Sequence, residues 1–94
     1  MKSILQNKKE CYVCKTKLVE EHHIFFGSAN RKLSEQDGLK VWLCPEHHRG
    51  QKGVHGKDGA TFNNYLKSIA QIEYMKYYNK TKEEFIKRYG KNFL

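Results

Sequence analysis

The sequence has no long apolar run, only one proline and only three cysteines, and these shortages exclude several classes of protein. No stretch approaches the roughly 20 apolar residues that a membrane-spanning helix needs, and the first ten residues lack the apolar centre of a signal peptide. An odd number of cysteines does not suit a disulfide framework. We therefore expect an intracellular, cytoplasmic protein with no membrane partner.

Acidic residues are also scarce, because 10 Asp and Glu face 18 Lys and Arg and leave a net charge of +8. This excess predicts attraction to a polyanion, and nucleic acid is the usual polyanion for an intracellular chain. A lysine-rich solvated surface would give the same count. The motifs must therefore decide between the two interpretations.

Apolar residues are too few to make a large core. They form 38% of the 94 residues, and a chain of this length buries a small fraction of its surface. Six tyrosines and five phenylalanines must supply much of the interior. We expect a single domain, residues 1–94, that depends on a bound metal ion for stability.

Two ligand pairs with zinc-like spacing support that expectation. Cys11 and Cys14 are separated by two residues, as are Cys44 and His47. Zinc prefers four tetrahedral N or S ligands, and two intervening residues let one tight turn present both side chains to the same ion. We predict a structural zinc bound by these four residues, with His48 as the alternative fourth ligand.

The pattern of apolar residues changes along the chain. Residues 19–26 and 39–43 are rich in β-branched and aromatic side chains and predict strands. A short helix is expected to begin near Pro45, and four glycines within residues 50–59 predict a loop. Apolar residues at spacings of three and four predict a helix over 61–78, and Thr81 with Glu84 predicts a capping box for a second helix that ends at Gly90.

The order of these motifs resembles a known family. A C-x2-C pair, then His22-His23-Ile24, then Leu-Cys-x2-His-His-Arg over residues 43–49, is similar to the zinc-knuckle HNH endonucleases of the ββα-metal (His-Me finger) fold. The resemblance is closest to the short phage and prophage HNH proteins related to RecA-dependent nucleases, and it covers roughly residues 11–55. It implies an α+β fold with a ββα-metal core over 11–58, held by the structural zinc, and a helical extension over 59–94.

The resemblance also implies catalytic roles. His23 corresponds to the general base of the family, and His22 and His48 correspond to ligands of a catalytic divalent ion, which could be Mg²⁺, Mn²⁺, Ni²⁺ or Zn²⁺. His55 could complete that site or contact the scissile phosphate, and a solvated loop histidine is the alternative. Neighbouring side chains of a strand point to opposite faces, so the convergent roles of His22 and His23 would require a bulge or a local distortion of the strand.

The reaction that this implies is hydrolysis of phosphodiester bonds, with DNA favoured over RNA, in phage or prophage recombination, repair or packaging. Arg49, Lys52 and Lys57 flank the histidines and are candidate phosphate contacts, and Arg31 with Lys32 forms a second basic pair on the loop after the doublet. The sequence contains no separate recognition module. Specificity would then come from DNA structure or from a partner protein.

One position departs from the family pattern. Members usually have an Asn before the segment that corresponds to 39–43, whereas this chain has Asp37-Gly38, so Asn30 or Asp37 is the candidate replacement. The departure supports an alternative function, a zinc-stabilised nucleic-acid-binding module without catalysis. A zinc domain that binds another protein is a third hypothesis, which the net charge of +8 disfavours.

Overall fold

A computed structural model describes all 94 residues and has an α+β architecture. Its elements, in chain order, are β1 (Glu20–His23), α1 (Ser28–Asp37), β2 (Lys40–Leu43), α2 (Pro45–Arg49), α3 (Ala60–Tyr77) and α4 (Lys82–Tyr89). The two strands form one antiparallel sheet. None of the helices is both long enough and apolar enough to cross a membrane.

The sheet pairs in a regular register. Residues Glu20 to His23 of β1 lie opposite Leu43 to Lys40 of β2 without an inserted residue. Both strands fall within the segments expected from the sequence. The expected bulge at the histidine doublet is wrong, because the pairing continues without interruption through His22 and His23.

Helix α1 was not expected, and Arg31 and Lys32 therefore lie on a helix and not on a loop. Its sequence gives little helical signal because Leu33 is its only large apolar residue and no side chain caps its start at Gly27. The end is better marked. Gly38 has φ 73°, a left-handed conformation that ends helices and favours glycine.

The two C-terminal helices match the expectation closely. Helix α3 begins and ends one residue before the expected bounds, and α4 follows the expected capping box. The backbone N–H of Glu84 donates to the hydroxyl of Thr81 at 3.1 Å, and the backbone N–H of Thr81 donates to the Glu84 carboxylate at 3.0 Å. These bonds satisfy amides that the first turn of a helix leaves free.

Aromatic rings link these helices to the segment after β1. The ring centroid of Phe25 lies 4.7 Å from that of Tyr89, 5.2 Å from Phe93 and 5.4 Å from Phe85. Phe25 and Phe85 are buried almost completely. Four aromatic residues, Phe25, Tyr74, Phe85 and Tyr89, thus form part of the interior, together with aliphatic residues of the sheet and of α3.

Candidate metal centres

Three cysteines and one histidine converge between the turn at residues 11–14 and the start of α2. The Nδ1 atom of His47 lies 3.1 Å from Sγ of Cys44 and 3.6 Å from Sγ of Cys11, and Sγ of Cys14 lies 3.8 Å from Sγ of Cys44. All four donor atoms are within 4.8 Å of one another. His47, and not His48, is therefore the fourth member of the cluster.

These distances fit a zinc ion. Tetrahedral ligands with the usual Zn–S and Zn–N bond lengths lie about 3.5 to 3.8 Å from one another. Two of the three separations given above, 3.6 and 3.8 Å, match this range, and the separation of His47 and Cys44 is shorter, at 3.1 Å. None of the three cysteines forms a disulfide. The cluster of Cys11, Cys14, Cys44 and His47 can hold a metal ion such as zinc; we call it the cysteine cluster.

The backbone around Cys11 favours the thiolate that zinc requires. Burial of this thiol opposes ionisation, but hydrogen bonds from the backbone N–H groups of Cys14, Cys44 and Val13 outweigh it and lower the pKa of Cys11 to about 6. Thiolates are the form of cysteine that binds metals.

A second cluster contains only imidazoles. His22 lies on β1, His48 on α2 and His55 on the loop that follows, and their candidate donor atoms are all within 4.8 Å of one another. The ring centroids are 5.2 Å apart for His22 and His48, 5.0 Å for His22 and His55, and 4.9 Å for His48 and His55. We call these three residues the histidine cluster.

The glycine-rich loop brings His55 back toward α2. The backbone N–H of His55 donates to the carbonyl of His48, and that of Val54 donates to the carbonyl of His47, each at 3.0 Å. Gly56 then passes so close to the carbonyl of Gly50 that a Cβ atom would clash with it. The glycines therefore permit the tight return that places the third imidazole.

His22 contributes a buried nitrogen with no partner. Its side chain is 2% exposed, and its Nε2 atom is buried without a hydrogen bond. Burial, together with the nearby charges of His48 and His55, lowers the pKa of His22 to about 3. His22 is therefore neutral near pH 7, the state in which imidazole binds a metal.

Glu20 fixes the ring of His48. Its Oε1 atom lies 2.7 Å from Nδ1 of His48, and Arg49 donates to both of its carboxylate oxygens, at 3.0 and 2.6 Å. Hydrogen bonds from Arg49 and His48 lower the pKa of Glu20 to about 2, so the carboxylate is ionised and can only accept. The proton of His48 is thereby held on Nδ1, and Nε2 is left for a ligand.

His23 faces a different carboxylate. Its Nε2 atom lies 2.8 Å from Oε1 of Glu35 on α1, and Lys40 and the N-terminal amine also bind Glu35, at 3.0 and 2.8 Å. Hydrogen bonds from His23, the N-terminal amine and Lys40 lower the pKa of Glu35 to about 2. An ionised Glu35 holds the proton of His23 on Nε2, which leaves Nδ1 with a free lone pair.

Neither Asn30 nor Asp37 takes the position that the sequence suggested for it. Asp37 accepts from Arg88 at 2.6 and 2.9 Å and from the hydroxyl of Tyr89 at 2.6 Å. Asn30 donates to the carbonyl of Tyr89 at 3.4 Å. Both residues attach α1 to the C-terminal helix, and the side chain that contacts His23 is instead a glutamate.

The two glutamates were missed for different reasons. Glu20 lies two residues before His22 on a strand, so the alternation of side chains placed it on the same face as His22 and could have identified it. Glu35 lies on α1, whose existence the sequence did not predict. No local signal connected it with His23.

The histidines border one small pocket of about 210 Å³. Its lining residues are Glu21, His22, His23, Phe26, Arg31, His48 and His55. The structure thus brings the predicted catalytic residues to a common opening, although His22 and His23 have different partners. Their regular strand geometry places one ring in the histidine cluster and the other against Glu35.

The predicted phosphate contacts occupy unequal positions. Arg31 lines the pocket, whereas the guanidinium of Arg49 is already paired with Glu20. Lys52 and Lys57 are exposed on the loop between α2 and α3. Of these four residues only Arg31 lines the pocket, and the contacts of all four with nucleic acid stay predictions.

Comparison of this chain with models of protein families, with curated proteins and with solved structures found no match.

Proposed function

We propose that this protein is a metal-dependent HNH-type endonuclease that hydrolyses phosphodiester bonds in DNA. The observation that carries the proposal is the histidine cluster, with its unpartnered Nε2 of His22, beside the pair of His23 and Glu35 at one pocket. A buried polar atom without a partner costs free energy and therefore needs an explanation, and a bound ion is one such explanation. A bound cation would give this nitrogen a partner.

The donor set fits a divalent ion. His22 is neutral, His48 presents Nε2 because Glu20 holds its other nitrogen, and burial lowers the pKa of His55. A histidine ligand whose second nitrogen binds a carboxylate is a common arrangement in metal sites. When bound, the ion would stabilise the charge that develops on the phosphate and on the leaving oxygen.

His23 is the proposed general base. Glu35 holds a proton on Nε2 of His23, so Nδ1 of His23 is left to accept the proton of an attacking water. Developing imidazolium charge would be stabilised by the ionised Glu35, as in other base–carboxylate pairs. In this proposal Glu35 takes over the orienting role for which the family uses its middle Asn.

The order of elements supports the ββα-metal interpretation of the fold. The doublet lies on β1, β2 pairs with it, and α2 carries His48 on the helix that follows. The cysteine cluster joins the turn before β1 to the start of α2. A zinc bound there would hold the strand and the helix that supply His22 and His48.

Cleavage of plasmid and single-stranded DNA by zinc-loaded protein tests the proposal, with Mg²⁺, Mn²⁺ or Ni²⁺ added in turn. We expect metal-dependent nicking that falls by about 100-fold or more in His23→Ala, since general bases typically contribute 100- to 10,000-fold. Lys76→Ala, an exposed residue near the end of α3, is the control and should cut normally. Zinc content must be equal in all three proteins.

The same experiment separates the competing function. If wild type and His23→Ala bind DNA equally and neither cuts with any of the metals, the endonuclease proposal fails. A zinc-stabilised binding module would then explain both the net charge and the cysteine cluster.

A further inference from the structure

Lys67 lies near the histidine cluster, and Lys91 lies near Lys67, and neither has an anionic partner. Lys67 on α3 places its Nζ atom 4.7 Å from the ring centroid of Phe26 and 5.4 Å from that of Phe93, and Nζ of Lys91 lies 5.5 Å from the same Phe93 ring. Neither lysine forms an ion pair or a hydrogen bond. Most charges around the pocket, by contrast, are paired with an opposite charge.

Phe26 connects this pair of lysines to the pocket. Its ring centroid lies 5.0 Å from that of His55 and 5.9 Å from that of His22, and its side chain lines the pocket. One part of the ring therefore borders the histidines while Lys67 lies over its face. The positive charge of Lys67 is also near enough to contribute to the lowered pKa of His22.

Hydrogen bonds hold Phe93, one of the two rings beside Lys67. Gln71, which is fully buried, accepts from the backbone N–H of Phe93 at 2.7 Å and donates to the side chain of Asn92 at 2.8 Å. These bonds hold Phe93, and the ammonium group of Lys67 then lies between two aromatic rings. Burial and the charge of Lys91 lower the pKa of Lys67, so an anion at this place would relieve an unfavourable environment.

We propose that Lys67 and Lys91 form an anion-binding site that holds a backbone phosphate of the nucleic acid strand beside the histidine cluster. The inference rests on the proposed function for its ligand, a polyanion that extends past the pocket. Phe26, 39% exposed, would form the wall between the two sites and offer a face to an adjacent base.

Salt-dependent binding of a short fluorescein-labelled oligothymidylate tests this inference without requiring cleavage. We expect Lys67→Gln to weaken binding about fivefold at about 0.1 M salt and to reduce the slope of log K against log salt by about 0.7, the value for one lost phosphate contact on a single strand. Lys91→Gln should change the slope in the same direction. Lys67→Arg, which keeps the charge and the stacking on the rings, should retain the wild-type slope.

Lys76→Gln is the matched control because it removes a lysine from the same helix whose side chain is 72% exposed and lies 4.0 Å from Glu73. Equal slopes for Lys67→Gln and Lys76→Gln would overturn the anion site, as would failure of the wild type to bind. If the wild type never cuts DNA but Lys67→Gln still reduces the slope of log K against log salt, the nuclease proposal is refuted and the anion site is supported.

Discussion

The cysteine cluster and the histidine cluster both consist of possible metal ligands, but they differ in whether the donors leave room for anything besides a metal ion. In the cysteine cluster four donors lie within 4.8 Å of one another, which is enough ligands to fill the coordination sphere of a tetrahedral zinc. In the histidine cluster three donors border a pocket, and Nε2 of His22 is buried without a partner. A closed site suits a structural ion, and an open one leaves room for a substrate.

The position of each cluster in the chain agrees with this difference. The cysteine cluster joins a turn near the N-terminus to the start of α2, and the 30 positions from Cys14 to Cys44 include both strands and α1. The histidine cluster adds one residue from a loop to an existing strand and helix. Loss of the first should therefore affect the whole fold, and loss of the second should affect only the site.

The largest expected effect comes from the substitution Cys11→Ser. Cys11 is fully buried and its donor lies within the cysteine cluster, so we expect the variant to lose zinc and cooperative folding. Structural zinc contributes on the order of 10 kcal/mol in small zinc domains. Near-UV circular dichroism and zinc content measured together would test this expectation.

Chelation of the wild type provides the control for that variant. A strong chelator should give the same spectrum as Cys11→Ser, and added zinc should restore the wild type but not the variant. A Cys11→Ser protein that melts at the wild-type temperature would show that the cysteine cluster does not hold the fold together.

A smaller effect is expected at the open cluster from Glu20→Gln. The amide keeps the size of the side chain but removes the charge that holds the proton of His48 on Nδ1 and pairs with Arg49. Loss of such a partner typically weakens metal binding about 10- to 100-fold. Calorimetric titration of Mn²⁺ or Ni²⁺ into zinc-loaded protein measures it.

Glu73→Gln is the matched control, because this carboxylate lies on α3 and its nearest cation, Lys76, is 4.0 Å away. We expect it to bind the second metal like the wild type, and both variants to unfold as the wild type does. Unchanged metal binding in Glu20→Gln would show that Glu20 serves the ion pair with Arg49 and not the histidine cluster.

The sequence predicted the cysteine cluster better than it predicted the surroundings of the histidines. Spacing identifies the three cysteines and favours His47 over His48 as the fourth member, because two-residue turns fix local geometry. It also predicts α3 and α4, whose apolar periodicity and capping box are local signals. Features that depend only on residues close together in the sequence can be predicted without knowledge of the fold.

The partners of the histidines depend on tertiary structure and could not be predicted in that way. Glu35 reaches His23 only because α1 packs beside β1, and α1 itself has almost no apolar pattern. The doublet was expected to need a bulge or a local distortion because the two neighbouring rings were given roles at the same site. The regular strand instead gives each ring its own partner, which the alternation of side chains allowed.

The smallest expected effect, and the one that separates the clusters most sharply, comes from His22→Leu. The comparison uses protein that carries zinc at the cysteine cluster and no second metal. In this state the wild type buries Nε2 of His22 without a hydrogen bond, which lowers the free energy of unfolding by about 1 to 3 kcal/mol. Leucine removes that polar atom and fills a comparable volume, so we expect the free energy of unfolding in urea to rise by about 1 kcal/mol. Added Mn²⁺ or Ni²⁺ should then stabilise the wild type and not the variant, since only the wild type retains all three imidazoles. A variant that is several kcal/mol less stable than the wild type before any second metal is added would mean that His22 is part of the structural core, and that the distinction between a closed and an open cluster does not hold.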